Sequence, residues 1–249
     1  MRSCSKARRY NVAAPKRFFV QNIAEEVLLS GEEFRHAKSV LRLTEGDEIT
    51  LLDGSGKEYA AIISRVEKGG MYAHIVGERT SDKEPKTDVY LLVGALKGDT
   101  TELVVQKATE LGIQKIGVFS SRYCSAYINE NKLERLKKVA HEAAKQCMRA
   151  TVPTVEYFDD FSSAIDSAKD YQNKLFACEF IQKSEADISA LTGSFALVVG
   201  SEGGFTEEEF ASAQSKGFVG VSLGKRILRA ETAAIAFTAA VMYLVGELG

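Results

Sequence analysis

Glycines and a glutamate occur together in the stretch LVVGSEGGFTEEEF, which runs from Leu197 to Phe210. Glycine permits a positive φ and carries no side chain, so Gly200, Gly203 and Gly204 indicate a backbone that approaches a ligand closely. A phosphate ligand fits poorly, because phosphate loops rely on bare amide donors whereas this loop carries Glu202. The stretch therefore predicts a loop against a ligand with a cationic or neutral contact face.

The acids that follow have a simpler explanation. Thr206 as N-cap and Glu209 three residues later form the pattern of a capping box. Glu207 and Glu208 in the first turn suit the positive end of the helix dipole. The sequence predicts a helix from this point, and the role of the earlier acid, Glu202, stays open.

Two arginines near the end of the chain form a second candidate group. Arg226 and Arg229 follow the strand-like run VSLG and precede an alanine-rich helix predicted from about Ala230 to Gly246. Three residues apart, they could both face an anionic substrate, although pairing with surface acids remains an alternative. Ligands of parallel sheets bind beyond the carboxyl ends of the strands, so the ends of KLFACEF, ALVVG and VSLG predict one cavity if their loops converge.

The elements that must position these groups fall into two parts. Residues 16–80 alternate as strands do, which predicts a small antiparallel barrel or sheet. One helix interrupts it, in GEEFRHAKSVLR, with Phe34, Ala37, Val40 and Leu41 as its buried stripe. After the polar segment SDKEPK, strands and helices alternate from residue 87 onward, which predicts a mostly parallel sheet covered on both faces.

Composition limits the classes of function. The chain has 249 residues with 45% hydrophobic content, enough for one large or two modest domains. It shows neither a membrane-length apolar run nor a secretory signal, so we expect a cytoplasmic protein with no membrane partner. Four cysteines without CxxC spacing and three histidines predict neither disulfides nor a metal site.

Basic residues are concentrated in two segments, although the net charge is −2. Residues 1–17 contain bases and no acid, which predicts a flexible basic arm over residues 1–15. Residues 131–150 form a basic amphipathic helix, for which a solvated face is the commoner explanation and RNA binding the alternative.

Several segments, in this order along the chain, resemble one family. They are RFFV, HAKSVLRLTEGD, KGDTTELVVQKATELGI, EAAKQCMR, GSEGGF and LGKRILRAETA. The family is RsmE, the 16S ribosomal RNA (uracil-N3)-methyltransferases of the SPOUT superfamily, and the resemblance covers nearly everything from Lys16 onward. It implies an α/β fold, with a trefoil-knotted SPOUT methyltransferase domain at residues 87–249 preceded by a small PUA-like RNA-binding β-barrel at residues 16–80.

The resemblance also implies a homodimer that uses S-adenosyl-L-methionine to methylate N3 of a uridine in 16S rRNA of the 30S ribosomal subunit. Carried over by position, the cofactor-binding residues are Gly200, Glu202, Gly203, Gly204, Leu223, Gly224, Ile227, Leu228 and Ala230. The RNA-facing residues are Arg17, His36, Arg42, Lys97, Arg122, Gln146 and Arg149.

Uracil N3 carries a proton that must leave, which calls for a general base and for cations that stabilise the developing anion. We expect Arg229 to stabilise the uracil oxygens and Glu231 or solvent to accept the proton. The chain departs from the family pattern at four positions, which are Ser201 for proline, Thr100 for a basic residue, Cys147 for serine and Ala230 for threonine. There are two alternatives to this function. One is an RNA-binding or ribosome-assembly protein that keeps the fold but does not methylate, and the other is a SPOUT enzyme that acts on tRNA.

Overall fold

The structure is a computed structural model that describes residues 16–179, 181 and 188–248. The predicted arm at residues 1–15 lies outside the described residues. The chain divides into two compact units, one ending at Asp82 and the other beginning at Lys83.

The first unit is built on a five-stranded sheet. Its strands are β1 (Arg17–Phe19), β2 (Glu26–Leu29), β3 (Glu48–Leu52), β4 (Lys57–Val66) and β5 (Met71–Thr80), in the order β1-β3-β4-β5-β2. β1 runs parallel to β3, whereas the other neighbours are antiparallel. The sheet is therefore mixed, which corrects the prediction of a purely antiparallel one. The inward residues of β4, Tyr59, Ala61 and Ile63, alternate as expected for a strand with one buried face.

The predicted helix of this unit is shorter than expected. Helix α1 covers Gly31–Arg35, and the next turn, His36–Val40, is a π-helix in which the Leu41 amide donates to the His36 carbonyl. The wider turn rotates each residue less than an α-helix does, so the buried stripe shifts. Val40 is consequently 67% exposed, and the prediction that it is buried was wrong.

The second unit contains a six-stranded sheet in which every neighbouring pair is parallel. Its strands are β6 (Val89–Gly94), β7 (Lys115–Phe119), β8 (Thr154–Phe158), β9 (Asn173–Ala177), β10 (Phe195–Val199) and β11 (Val219–Val221), in the order β11-β9-β10-β6-β7-β8. The helices are α2 (Thr100–Glu110), α3 (Glu130–Gln146), α4 (Phe161–Asp166), α5 (Glu207–Ser215) and α6 (Ala230–Leu244), with a 3₁₀ turn at Ile188–Ala190. Because all six strands run in one direction, their carboxyl ends lie along one edge.

Both faces of this sheet are covered, as predicted. Val89, Leu91 and Val93 of β6 belong to a core shared with α2, α3 and α6, whereas Tyr90 and Leu92 belong to a core shared with α4 and α5. Successive side chains of a strand point to opposite faces, so a strand buried on both sides reads as a continuous apolar run.

Helix ends follow their sequence signals. Thr206 and Glu209 form the predicted capping box of α5, and Asn129 and Asp160 accept hydrogen bonds from the first turns of α3 and α4. Gly112 follows α2 with a φ of +95°, the backbone conformation in which a glycine commonly ends a helix. Each side-chain cap contributes about 1 kcal/mol, so these caps fix where the loops between strands and helices begin and end.

Candidate functional site

One cavity of about 840 Å³ opens at the carboxyl ends of β9, β10 and β11. These three strands are neighbours in the sheet, so the loops that follow them meet. All of the residues expected to bind the cofactor line this cavity, as do Arg229 and Glu231. A volume of this size lies in the range, roughly 300–1,000 Å³, that is typical of small-molecule sites.

The glycine loop after β10 forms a tight turn. The Gly204 amide donates to the Ser201 carbonyl at 3.0 Å, and the two residues form an isolated antiparallel bridge. Gly204 has a φ of +68°, and a Cβ at this position would lie 2.7 Å from Oε1 of Glu179. The positive φ at position 204 favours glycine, and a larger residue there would also clash with Glu179 at the wall of the cavity.

Glu202 acts on the backbone of a neighbouring loop. Its Oε1 accepts a hydrogen bond of 2.9 Å from the amide of Lys97, in the loop after β6. That loop leads to Thr100, which also lines the cavity. A carboxylate that accepts from a main-chain amide fixes the loop, which gives Glu202 a structural reason within the glycine turn.

Glu209 makes a similar contact with the backbone of the loop after β7. One of its oxygens accepts from the amide of its own cap residue, Thr206, and the other from the amide of Arg122, each at 2.9 Å. Arg122 lies in the loop after β7. The two glutamates together attach the loops after β6 and β7 to the segment that follows β10.

The segment between β11 and α6 carries the arginines. Gly224 has a φ of +103°, Ile227 is 95% exposed, and Arg229 occupies the N-cap position of α6. Arg226 and Arg229 are both exposed. This segment presents cationic side chains and bare backbone at the cavity.

Several lining residues are not among those predicted to bind the cofactor. Among them are Thr100, Glu179, Ile181, Ser222 and Lys225. Glu179 could have been found, because it lies two residues beyond the end of β9. Thr100 has no such signal, since the loop that leads to it is attached to the glycine turn by the tertiary contact between the Lys97 amide and Glu202.

Ser201, for which the resemblance implies proline, is buried in the cavity wall. Its Oγ has no hydrogen-bond partner among the described residues. An unsatisfied buried hydroxyl costs roughly 1–3 kcal/mol, so the replacement affects stability beyond the lost restriction of proline.

Arg149 does not face RNA, which corrects its assignment. The residue is 2% exposed, its Nε and Nη2 donate to Oε2 of Glu84 at 3.1 and 3.0 Å, and its Nη1 donates to the carbonyls of Thr109 and Ile113. Burial raises the pKa of Glu84, but hydrogen bonds from Thr151 and the charge of Arg149 hold it below its ordinary value. The guanidinium is a structural link between the start of the unit and the turn after α3.

Arg17, in the first unit, is also buried, so its assignment to RNA is corrected as well. Its Nη2 donates to Oε1 of Glu58 at 3.0 Å. Burial raises the pKa of Glu58, but hydrogen bonds from Arg17, Arg79 and Ser81 outweigh it and lower that pKa to about 2. The pair holds β1 against the sheet.

The remaining residues assigned to RNA are accessible to different degrees. Lys97, Arg122, Gln146 and Arg42 are exposed. His36 is half-buried, and its ring lies edge-on to Phe18 with 6.0 Å between centroids. The structure brings Lys97 and Arg122 to the cavity loops, whereas Gln146 ends α3.

The loops around the cavity carry four exposed cations, which we call the cavity-loop cations: Lys97, Arg122, Arg226 and Arg229. None of them forms an ion pair with any residue that the structure describes. Their charge is therefore available to an anionic ligand.

Helix α3 differs, since most of its cations have acidic neighbours. Arg135 lies 2.9 Å from Glu102, and Lys137 lies 2.7 Å from Glu134. Lys145 is buried, 3.9 Å from Glu142. These contacts favour the interpretation of α3 as a solvated helix face.

Within residues 16–179, 181 and 188–248, no group of three or more histidine, cysteine or acidic side chains could hold a metal ion. In the same ranges, every helix is too short or too polar to cross a bilayer.

Comparisons with known proteins agree with this architecture. Residues 82–242 match the family described as RNA methyltransferase domain, and residues 29–76 match the RNA methyltransferase PUA domain. Ribosomal RNA small subunit methyltransferase E of Bacillus subtilis is 30% identical over 92% of this chain and 96% of its own length. The enzyme of that name from Rickettsia conorii is 33% identical over 87% of this chain and 89% of its own. A crystal structure of the Neisseria gonorrhoeae enzyme, bound to S-adenosyl methionine, superposes with a TM-score of 0.87 and 34% identity, over 94% of this chain and 100% of that one.

Proposed function

This chain belongs to the ribosomal RNA small subunit methyltransferase E family and is an RNA methyltransferase that uses S-adenosylmethionine; we propose that it methylates N3 of a uridine in 16S rRNA. The single observation that carries the proposal is the cavity at the ends of β9, β10 and β11, with bare glycine backbone on one side and exposed arginines on the other.

The residues of the cavity fit the cofactor. Gly200 and Gly204 present backbone at the cavity wall, and Leu223 and Leu228 supply apolar surface for the adenosyl group. The acids Glu179 and Glu202 in the wall are tolerable beside a sulfonium cation, whereas they would repel a phosphate. When bound, S-adenosylmethionine supplies an electrophilic methyl group.

Residues of this chain position the uracil and stabilise the negative charge that develops on it. Arg229, exposed at the start of α6, stabilises negative charge on the uracil oxygens as N3 loses its proton. Glu231, in the first turn of the same helix and on the cavity wall, or solvent accepts that proton. No lining residue has to attack the uracil ring, because methylation at nitrogen needs no covalent intermediate.

The two units divide the work. We propose that residues 16–80 act as a PUA-like RNA-binding module, with Arg42 and His36 contributing contacts, and that residues 87–249 carry the reaction. The 30S ribosomal subunit is the proposed partner, and a cytoplasmic location is proposed with it. A trefoil knot in residues 87–249, as expected of the SPOUT superfamily, is part of the proposal.

A homodimer is proposed from the surface of α6. On this helix Ala236, Ala240, Tyr243 and Leu244 are exposed. An exposed apolar helix face of small residues suits close packing against a second copy of the same chain. Sedimentation of the purified protein tests this, and Ala240→Arg is expected to give monomers.

Incubation with labelled S-adenosylmethionine and three substrates tests the function. The substrates are assembled 30S subunits, naked 16S rRNA and tRNA, and nucleoside mass spectrometry identifies the product. We expect N3-methyluridine in the 30S sample. Methylation of tRNA would favour the alternative of a tRNA-directed SPOUT enzyme, and RNA binding without cofactor binding would favour a non-catalytic assembly protein.

A further inference from the structure

The loop after β7 exposes an aromatic side chain beside the cavity. Tyr123 is 56% exposed and follows Arg122, one of the cavity-loop cations. Its ring has neither an aromatic nor a hydrogen-bonding partner among the described residues. Tyr127, in the same loop, instead lies edge-on to Tyr157, with 6.3 Å between ring centroids.

The backbone of Tyr123 is held against the glycine turn. A Cβ at Gly203 would lie 2.5 Å from Cβ of Tyr123 and 2.7 Å from its carbonyl oxygen. Only glycine at this position lets the two loops touch, because the atoms that it would meet include backbone. Since Gly203 lines the cavity, Tyr123 lies directly beside the cavity wall.

Two further contacts fix this loop. Glu209 accepts from the Arg122 amide at 2.9 Å, and Sγ of Cys124 donates to the Ala95 carbonyl at 3.0 Å. An exposed ring on a fixed backbone loses less conformational entropy when it binds than one on a loose loop.

We propose that Tyr123 is a substrate-positioning residue whose ring stacks on a base of the RNA strand that enters the cavity, while Arg122 contacts the phosphate backbone of that strand. This inference rests on the proposed function. N3 of uracil lies on the edge that pairs in a duplex, so the target must be unpaired when it reacts. Unpaired RNA is recognised by stacking on aromatic rings and by arginine, which are the two chemistries that this loop presents.

Tyr123→Ala and Tyr123→Phe test the inference, with Ser125→Ala as a control at an exposed position of the same loop. Stacking on one base changes affinity by about 5- to 150-fold. We expect the alanine variant to raise both the KM for RNA and the Kd for RNA without cofactor by about tenfold or more. The phenylalanine variant, which keeps the ring, stays within about twofold of wild type, as does the control.

The cofactor separates stacking from a structural role. Calorimetry with S-adenosylmethionine is expected to give the same Kd for all four proteins. The inference is overturned if Tyr123→Ala binds RNA as wild type does, if its cofactor affinity falls in parallel, or if Tyr123→Phe is as defective as alanine. If the wild-type protein neither binds the cofactor nor methylates RNA, the proposed function itself is overturned. If the wild-type protein is active, the three outcomes above overturn only the role of Tyr123.

Discussion

The cavity loops and helix α3 both carry clusters of basic residues, yet their surroundings differ. Lys97, Arg122 and Arg229 are exposed and form no ion pair within the described part of the chain. On α3, by contrast, Arg135 and Lys137 lie within 3 Å of carboxylate oxygens. A cation that already has an acidic neighbour gives up that interaction when it binds a phosphate.

A high density of basic residues in a sequence segment is therefore not sufficient to identify an RNA-binding surface. The cavity loops differ from α3 in the groups with which their acidic side chains form hydrogen bonds. Glu202 and Glu209 accept from main-chain amides rather than from the side chains of the cavity-loop cations. On α3 the acids face the side-chain cations.

Arg149 is the extreme case of a cation with an acidic neighbour. Because it is buried against Glu84, Arg149→Ala would leave that carboxylate without its charged partner, and we expect a loss of about 3–5 kcal/mol in the free energy of unfolding. Denaturant unfolding measures this, with Arg122→Ala as the matched exposed control. Equal stability of the two variants would break the comparison.

Arg229 is the cavity-loop cation with the largest expected effect on the reaction. Removal of one preorganised group that stabilises developing charge costs roughly 10²–10³ in rate, so Arg229→Ala should lower kcat by about that factor. Single-turnover methylation measures it, and calorimetry should show unchanged affinity for S-adenosylmethionine. A normal rate with the cofactor bound would remove Arg229 from the mechanism.

The Glu84 carboxyl links stability to pH. Its pKa is lower in the folded protein than its ordinary value, so its contribution is fully present above about pH 4.3 and disappears as the pH falls through the folded pKa. Glu84→Gln should cost about 1–3 kcal/mol at neutral pH and flatten the acid side of the stability profile. Urea unfolding between pH 3 and pH 7 checks this, and an acid limb as steep as that of wild type would contradict it.

The smallest effect is expected on the surface of α3. Because Lys137 already has an acidic neighbour, the double variant Lys137→Ala, Lys138→Ala should leave the salt dependence of RNA binding nearly unchanged. Lys97→Ala with Arg122→Ala should lower the slope by about 0.7 for each phosphate that the protein no longer neutralises. Filter binding at several salt concentrations compares the two pairs, and a flatter slope for the α3 variant would reverse the account.

Much of the second unit could be predicted from the sequence, because its local signals agree with the fold. Continuous apolar runs indicated the buried strands, and Gly112, Thr206 and Glu209 marked the helix ends. The cavity itself could be predicted because the glycine turn and the arginines lie on loops that follow neighbouring strands, whereas the set of cofactor-binding residues came from the family resemblance.

Two of the failures share one physical cause, which is that burial depends on partners distant in sequence. Arg17 and Arg149 carry charge, but Glu58 and Glu84 reach them across 41 and 65 residues. Val40 was misplaced because the π-helix that exposes it has no signature in side-chain spacing. The contact between Glu202 and the Lys97 amide could not be foreseen either, since an amide donor exists at nearly every residue.

Binding of S-adenosylmethionine in the glycine-lined cavity is tested by calorimetry on a matched pair of glycine variants. Gly204 and Gly217 both have a positive φ, so replacement by alanine strains both backbones alike. An added Cβ at Gly204 meets Glu179 in the cavity wall, whereas nothing lies within 4 Å of one at Gly217. We predict micromolar binding by wild type and Gly217→Ala, and binding at least about tenfold weaker by Gly204→Ala. No heat from wild type, or equal losses in both variants, would contradict the account.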